Sequence, residues 1–279
     1  MKRAKVRKAV RDAIGKALDE LQPESLDDES VHGARKDLKR ARAGLRLLRD
    51  AIGRAAYKRE NAKLRDAGKP LGRVRDARVM ADTIAALWPK TRDRERTLLR
   101  SLRIRLAGEK RRAHGELARV KAQTVMRPLK AALRVAQGRD AAQRDRDSSR
   151  RGIVRIYRRA RNAAAAARTS RTDQDLHEMR KQAKYLALAL CQLDPPHGGK
   201  AGRRADEVAG RLGDDHDLAV LLSHLGHPAK RSAQPAAKRL RRRIDDRRGK
   251  LQRKAFKRAA DLYIRKPRRF ARRAIGRSS

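Results

Sequence analysis

The chain repeats one pattern of a histidine and three cations, and this duplication constrains its fold more than any other feature. The two copies are His32-x-x-Arg35-Lys36-x-x-Lys39 and His177-x-x-Arg180-Lys181-x-x-Lys184. A second shared pattern follows each copy, in the forms Leu71-Gly72-x-x-x-Asp76-x-x-Val79 and Leu212-Gly213-x-x-x-Asp217-x-x-Val220. Two shared patterns in the same order indicate an internal duplication.

The distribution of apolar residues predicts an all-α fold. Alanine, leucine and arginine dominate, and apolar positions recur at intervals of three and four residues, as on the buried face of a helix. Proline and glycine breaks then set the boundaries. The predicted helices span roughly residues 3–21, 28–67, 71–88, 91–136, 150–168, 173–192, 200–225 and 229–264, with a short basic helix after Pro267.

Four helices in each half predict two antiparallel four-helix bundles related by a pseudo-twofold axis. The polar, weakly patterned segment from Gln137 to Ser149 is the predicted linker. The first half therefore spans residues 1–138, and the second half spans residues 139–279 and includes a basic C-terminal tail.

The charge of the chain points to a polyanionic partner. Its 77 Lys and Arg residues against 32 Asp and Glu residues give a formal charge of +45, which opposes compaction unless an anion relieves the repulsion. Aromatic residues make up only 3%, whereas proteins that hold single-stranded nucleic acids stack bases on aromatic rings. A single cysteine, Cys191, and the lack of a long apolar run predict a cytoplasmic protein with no membrane partner.

The first copy of the histidine pattern begins a row of cations along one side of its helix. The row begins at His32 and continues with the cations Arg35, Lys36, Lys39, Arg42, Arg46 and Arg49. Like charges at these spacings are unfavourable, and no Asp or Glu is interleaved with them on that face of the helix. A solvated face is the alternative interpretation, but such a face has no reason to recur, so the row predicts a bound anion.

Capping signals place both copies near the start of their helices. Ser25-x-x-Asp28 and Thr172-x-x-Asp175 predict N-terminal caps, so the helix dipole adds to the attraction for phosphate. Asp76 and Asp217 are predicted to orient an arginine or a histidine of the rows, with a structural salt bridge as the alternative. His32 and His177, among so many cations, are predicted to be neutral hydrogen-bond donors.

These residues resemble the CHAD domain, the conserved histidine α-helical domain, over roughly residues 5–275. The resemblance implies two four-helix bundles around a basic channel that binds inorganic polyphosphate, with a location on polyphosphate granules. The implied binding residues are His32, Arg35, Lys36, Lys39, Arg42, Arg46, His177, Arg180, Lys181 and Lys184. In other proteins, this family is fused to triphosphatase domains. The motif of those domains is missing from this sequence, which predicts a stand-alone module.

The second copy departs from the family pattern at one position. Ala187 stands three residues after Lys184, where the first copy has Arg42 and the family has an arginine followed by a tyrosine. The second row is therefore predicted to be the weaker one.

Non-catalytic polyphosphate binding without a cofactor is the leading hypothesis for the function, and a non-specific nucleic-acid-binding or nucleoid-associated protein is the alternative. From Lys230 to Ser279 the acids are only Asp245, Asp246 and Asp261, which predicts a basic arm able to bind any duplex through its phosphates. Neither oligomeric state nor chain-length preference follows from these patterns.

An enzyme is the third class of function considered. The side chains that could assemble a metal site are those of His32, His177, His216, Asp217 and Asp76. A metal ion among so many cations would be repelled. We therefore predict neither catalysis nor a metal.

Overall fold

The computed structural model describes residues 2–22, 26–137, 148–226 and 234–276, and it confirms the all-α fold class because this part of the chain contains helices and no strand. The helices are α1 (Lys2–Asp19), α2 (Asp28–Ile52), α3 (Arg54–Leu87), α4 (Asp93–Val120), α5 (Arg127–Gln137), α6 (Ser148–Ser170), α7 (Asp173–Leu193), α8 (Gly199–Leu225), α9 (Gln234–Leu262) and α10 (Pro267–Gly276). Within the described segments, no helix has the length and apolar character needed to cross a bilayer.

The two helices that carry the repeated histidine pattern start with side-chain caps. At α7, the predicted cap is confirmed, because the Thr172 hydroxyl accepts a hydrogen bond from the Asp175 amide at 3.2 Å. At α2, the cap is instead Asp27, whose carboxylate accepts from the Ser30 amide at 2.7 Å. Ser25 lies outside the described residues. Asp28 is therefore the first helical residue rather than part of the predicted capping box.

The predicted break at residues 68–70 is wrong, because α3 continues through Pro70. The chain breaks instead at Gly53, which ends α2 with a φ of +84° that favours glycine. A proline inside a helix removes a hydrogen bond and costs about 3 kcal/mol. Leu64 and Leu71 are fully buried on either side of Pro70, and burying a leucine contributes about 1.5–3 kcal/mol, so core packing holds the helix together.

The remaining predicted breaks agree with the structure where it is described. Pro89 lies in a 3-10 turn, Trp88–Lys90, between α3 and α4, and Pro195 and Pro196 separate α7 from α8. The fourth predicted helix comprises α4, a π-helical turn at Lys121–Met126 and α5. Pro23, Pro228 and residues 138–147 of the predicted linker lie outside the described residues, while Ser148 and Ser149 belong to α6.

Equivalent helices of the two halves pack against each other. Helix α2 contacts α7, α3 contacts α8, and α4 contacts α9. One large apolar cluster takes buried residues from both halves, and a smaller one joins α3 and α4 to α8 and α9 through residues such as Ile84, Leu99, Leu221 and Leu240. This pairing agrees with two related halves that share a core, and the division at residue 138 stays a prediction.

The described part of the basic C-terminal segment packs onto the rest of the fold, and its binding to a duplex stays a prediction. Helix α9 packs against α8 and α4, and α10 packs against α6. The buried Tyr157 hydroxyl donates to the Leu262 carbonyl at 3.0 Å, and the Tyr157 ring stacks on Phe270 with 3.8 Å between ring centroids. These contacts anchor the last helices to the core.

The close approach of α2 and α6 depends on Gly152. A Cβ at this position would lie 2.9 Å from the Leu47 backbone, which cannot move aside as a side chain can. We expect Gly152→Ala to lower the free energy of unfolding by about 1–3 kcal/mol, the usual cost of overpacking, as measured by chemical denaturation.

Gly210→Ala in α8 is the matched control, because no atom lies within 4 Å of the added Cβ. This variant should be as stable as the parent or more stable by up to about 1 kcal/mol. If both variants kept the parent's stability, α2 and α6 would not pack this closely.

Candidate anion-binding site

Cations from both copies of the histidine pattern lie close together, on two helices that contact each other. Arg35 and Lys39 lie on α2, and Arg180 and Lys184 lie on α7. The charge of Arg180 lowers the pKa of Arg35, after desolvation and the nearby Arg75 charge. We call Arg35, Lys39, Arg180 and Lys184 the central cluster. The structure thus brings cations of the two predicted rows close together.

Lys39 shows the electrostatic character of the central cluster. Desolvation, followed by the charges of Arg35, Arg180 and Lys184, lowers the pKa of Lys39 to about 8. The Lys39 side chain is nevertheless exposed to solvent. An exposed lysine whose neighbours oppose its protonation can be reached by an anion from solution, which would favour its charged form.

Most of the central cluster has no internal counterion. Within the described segments, Arg35, Lys39 and Arg180 have no carboxylate within 4 Å, whereas Lys184 forms an ion pair with Asp206 at 2.7 Å. Uncompensated cations at close range repel one another. An external polyanion would remove this repulsion.

The repeated Leu-Gly pair makes room for the two arginines of the central cluster. A Cβ on Gly72 would lie 2.6 Å from Nη1 of Arg35, and a Cβ on Gly213 would lie 3.6 Å from Nε of Arg180. Each glycine of α3 or α8 therefore faces the arginine of the preceding repeated helix. The arginine side chain occupies the space beside each glycine.

The repeated aspartates lie near the cations without pairing with them directly. Asp76 partly offsets the lowered pKa of Arg35 and of Lys39. Desolvation raises the pKa of Asp217, and Arg180 opposes this effect. In the described segments, neither carboxylate has a cationic nitrogen within 4 Å. Their predicted role in orienting the cations therefore stays a prediction.

The two repeated histidines lie at the edges of the site. Desolvation is the largest cause that lowers the pKa of His32 and of His177, and neighbouring cations lower both further. The His177 ring lies 4.7 Å from that of His216, and both rings line a cavity of about 730 Å³. These directions agree with the predicted neutral state, although desolvation outweighs the cationic charge.

Most of the other predicted binding residues have contacts of their own. Nε of Arg42 donates to the Asn61 side chain at 3.1 Å, and the guanidinium of Arg46 stacks 3.7 Å from the centre of the Tyr185 ring. Lys181 forms an ion pair with Glu178. Lys36 is exposed.

Sequence reasoning missed Arg75, which precedes the repeated Asp76. Its charge lowers the pKa of Arg35 and of His32, so it lies beside the central cluster. Its Nη1 atom is buried without a hydrogen-bond partner. The equivalent residue of the second copy is His216. In both copies, an arginine or a histidine directly precedes the repeated aspartate, and this shared feature of the sequence could have indicated Arg75.

A metal site has no support in the geometry of the described residues. No group of three or more His, Cys, Asp or Glu side chains is arranged to hold a metal ion in those segments. The histidines and aspartates considered for that role instead border a cationic cluster.

The lowered pKa of Lys39 can be tested directly. We expect Arg35→Gln to raise the pKa of Lys39 from about 8 towards its ordinary value, because one of the charges that oppose protonation is removed. The measurement is an NMR titration of the lysine side chains. Arg242→Gln, on the exposed face of α9, is the control and should leave this pKa unchanged. An unchanged pKa in both variants would contradict the proximity of Arg35 and Lys39.

Comparisons with known proteins place this chain in a family. The family model of the CHAD domain matches residues 8–205. A crystal structure of the CHAD domain from the plant Ricinus communis is similar over 97% of this chain and 91% of that chain, with a TM-score of 0.54 and 20% sequence identity, which shows a shared fold. No curated protein matches the chain. Since the family model spans well over half of the sequence, the chain belongs to the CHAD domain family.

Proposed function

We propose that this protein binds inorganic polyphosphate at the central cluster without catalysing a reaction. The observation that carries the proposal is the meeting of Arg35, Lys39 and Arg180 from two repeats without an internal carboxylate within 4 Å. A linear chain of phosphates presents a negative charge at every unit. Such a ligand fits a row of cations better than a compact anion does.

The side chains of the central cluster suit phosphoryl oxygens. Arginine offers a planar fork of donors to two oxygens, and lysine adds a compact charge. The buried, unpartnered Nη1 of Arg75 gives a further reason to expect an acceptor at this place. No Phe, Tyr or Trp belongs to the central cluster, so it has no aromatic ring on which a base could stack.

Protonation of Lys39 couples this binding to pH. An anion beside Lys39 favours its charged form, so the pKa of Lys39 should rise above about 8 when polyphosphate binds. Above a pH of about 8, Lys39 of the free protein is mostly neutral and must take up a proton when polyphosphate binds. The affinity for polyphosphate should therefore fall as the pH rises further.

The two repeats should contribute unequally to the binding. Ala187, the counterpart of Arg42, is 5% exposed and lies in the apolar core. Lys184 is already paired with Asp206, whereas Lys39 has no such partner within the described residues. We therefore propose that the first repeat supplies more of the binding free energy.

We also propose that the protein associates with polyphosphate granules through the central cluster.

The direct test removes the central cluster. We expect the quadruple variant Arg35→Ala, Lys39→Ala, Arg180→Ala, Lys184→Ala to bind long-chain polyphosphate at least about 100-fold more weakly, because each lost charged contact is worth about 1.5–3 kcal/mol before coupling. Affinity would be measured by isothermal titration calorimetry at moderate salt.

The matched control removes the same number and types of cation from the outer surface. Arg242, Lys250, Arg253 and Lys257 of α9 are all exposed. Their replacement by alanine should weaken binding by less than about fivefold, through the change in net charge alone. Equal losses in the two quadruple variants would show that the central cluster is not the site.

A further inference from the structure

A second cationic pocket lies beyond the central cluster, towards the C-terminal end of α2. Its cavity measures about 210 Å³, and its cations come from three helices. They are Arg46 and Arg49 of α2, Arg155 and Arg159 of α6, and Lys181 of α7. We call this cavity the flanking pocket. Helix α6 lies outside both repeated patterns, so the duplication gives no sign of its contribution.

The flanking pocket offers hydrogen-bond donors and no carboxylate in its lining. Asp50 lies outside the lining and pairs with Arg155 at 3.0 Å. Arg49 and Arg159 have no carboxylate within 4 Å in the described segments. These two guanidinium groups are therefore available to an anion.

Two tyrosines complete the flanking pocket. Tyr185 stacks on Arg46, whose Nη1 also donates to the Arg42 carbonyl at 2.9 Å, so this guanidinium is held in place. Arg49 lies 5.7 Å from the centre of the Tyr57 ring. The hydroxyls of Tyr57 and Tyr185 have no hydrogen-bond partner among the described residues. Each hydroxyl is a further donor for a phosphoryl oxygen.

We propose that the flanking pocket is a second phosphate site and that a polyphosphate chain binds it together with the central cluster. This inference rests on the proposed function. Along α2, Arg42 lies between Lys39 and Arg46. Desolvation lowers the pKa of Arg42, Tyr185 and Tyr57 oppose this effect, and Arg46 adds to it. From Lys39 to Arg49 the helix advances ten residues, which is about 15 Å at the rise of an α-helix.

A chain that spans both sites gains affinity over one that reaches a single site. Once one part of a long chain is bound, the other site meets its neighbouring phosphates at a high effective concentration. Tripolyphosphate is too short to cover the distance of about 15 Å from Lys39 to Arg49 and to contact the donors of both sites. The protein should therefore prefer long chains, and the flanking pocket should be the cause.

The test replaces Arg159, which is exposed and lines the flanking pocket. We expect Arg159→Glu to weaken binding of long-chain polyphosphate by about tenfold or more, and to change binding of tripolyphosphate by less than about twofold, because the central cluster remains. Arg158→Glu is the control, since Arg158 is an equally exposed neighbour on α6 that does not line the pocket.

Two results would overturn the inference. One is an equal loss for long and short chains in Arg159→Glu, and the other is an equal loss in the two single variants. A parent protein that bound neither ligand would instead disprove the proposed function, and the inference with it. Thermal unfolding of both variants would verify that each is folded as the parent is.

Discussion

The repulsion between cations that the fold brings together is the constraint on which the rest of this structure depends. Helices α2 and α7 each present an apolar face to the core and a cationic face to the central cluster. Leu38, Leu45 and Leu48 of α2, with Leu186 and Leu190 of α7, are 7% exposed or less. Burial of these residues is what holds like charges close to one another, since each contributes about 1.5–3 kcal/mol.

The position of the cations is set by neighbouring helices. Gly72 and Gly213 leave space for the Arg35 and Arg180 side chains, and Tyr185 supports Arg46 from the opposite repeat. Apart from Asp206, which pairs with Lys184 at 2.7 Å, no acid of the described segments lies within ion-pair distance of the central cluster. Such an arrangement maintains an attraction for phosphate that internal ion pairs would otherwise weaken.

Much of the fold follows from local features of the sequence. Helical periodicity, the Thr172 cap and the breaks at Pro89, Pro195 and Pro196 are all as predicted. The prediction failed at Pro70, because the burial of Leu64 and Leu71 outweighs the loss of one hydrogen bond, and such tertiary packing has no local signal. The break at Gly53 was not predicted, since a single glycine is also tolerated within helices.

The candidate site was predictable only in part, for the same reason. The duplication identified Arg35, Lys39, Arg180 and Lys184, because residues on one helix face keep a fixed spacing. Arg75 and Arg159 depend on which helices face each other across the fold. Their contribution requires the tertiary structure, and periodicity within one helix does not encode it.

Thermal unfolding with long-chain polyphosphate, compared with duplex DNA at the same phosphate concentration and moderate salt, tests the central claim most directly. A ligand at about 100 times its Kd stabilises the folded state by about 2.7 kcal/mol, and each kcal/mol raises the Tm of a chain of this size by about 2–4 °C. We predict a rise of at least about 5 °C with polyphosphate and a much smaller rise with DNA. Equal shifts would indicate a general polyanion binder, and no shift with polyphosphate would contradict a phosphate site in the folded protein.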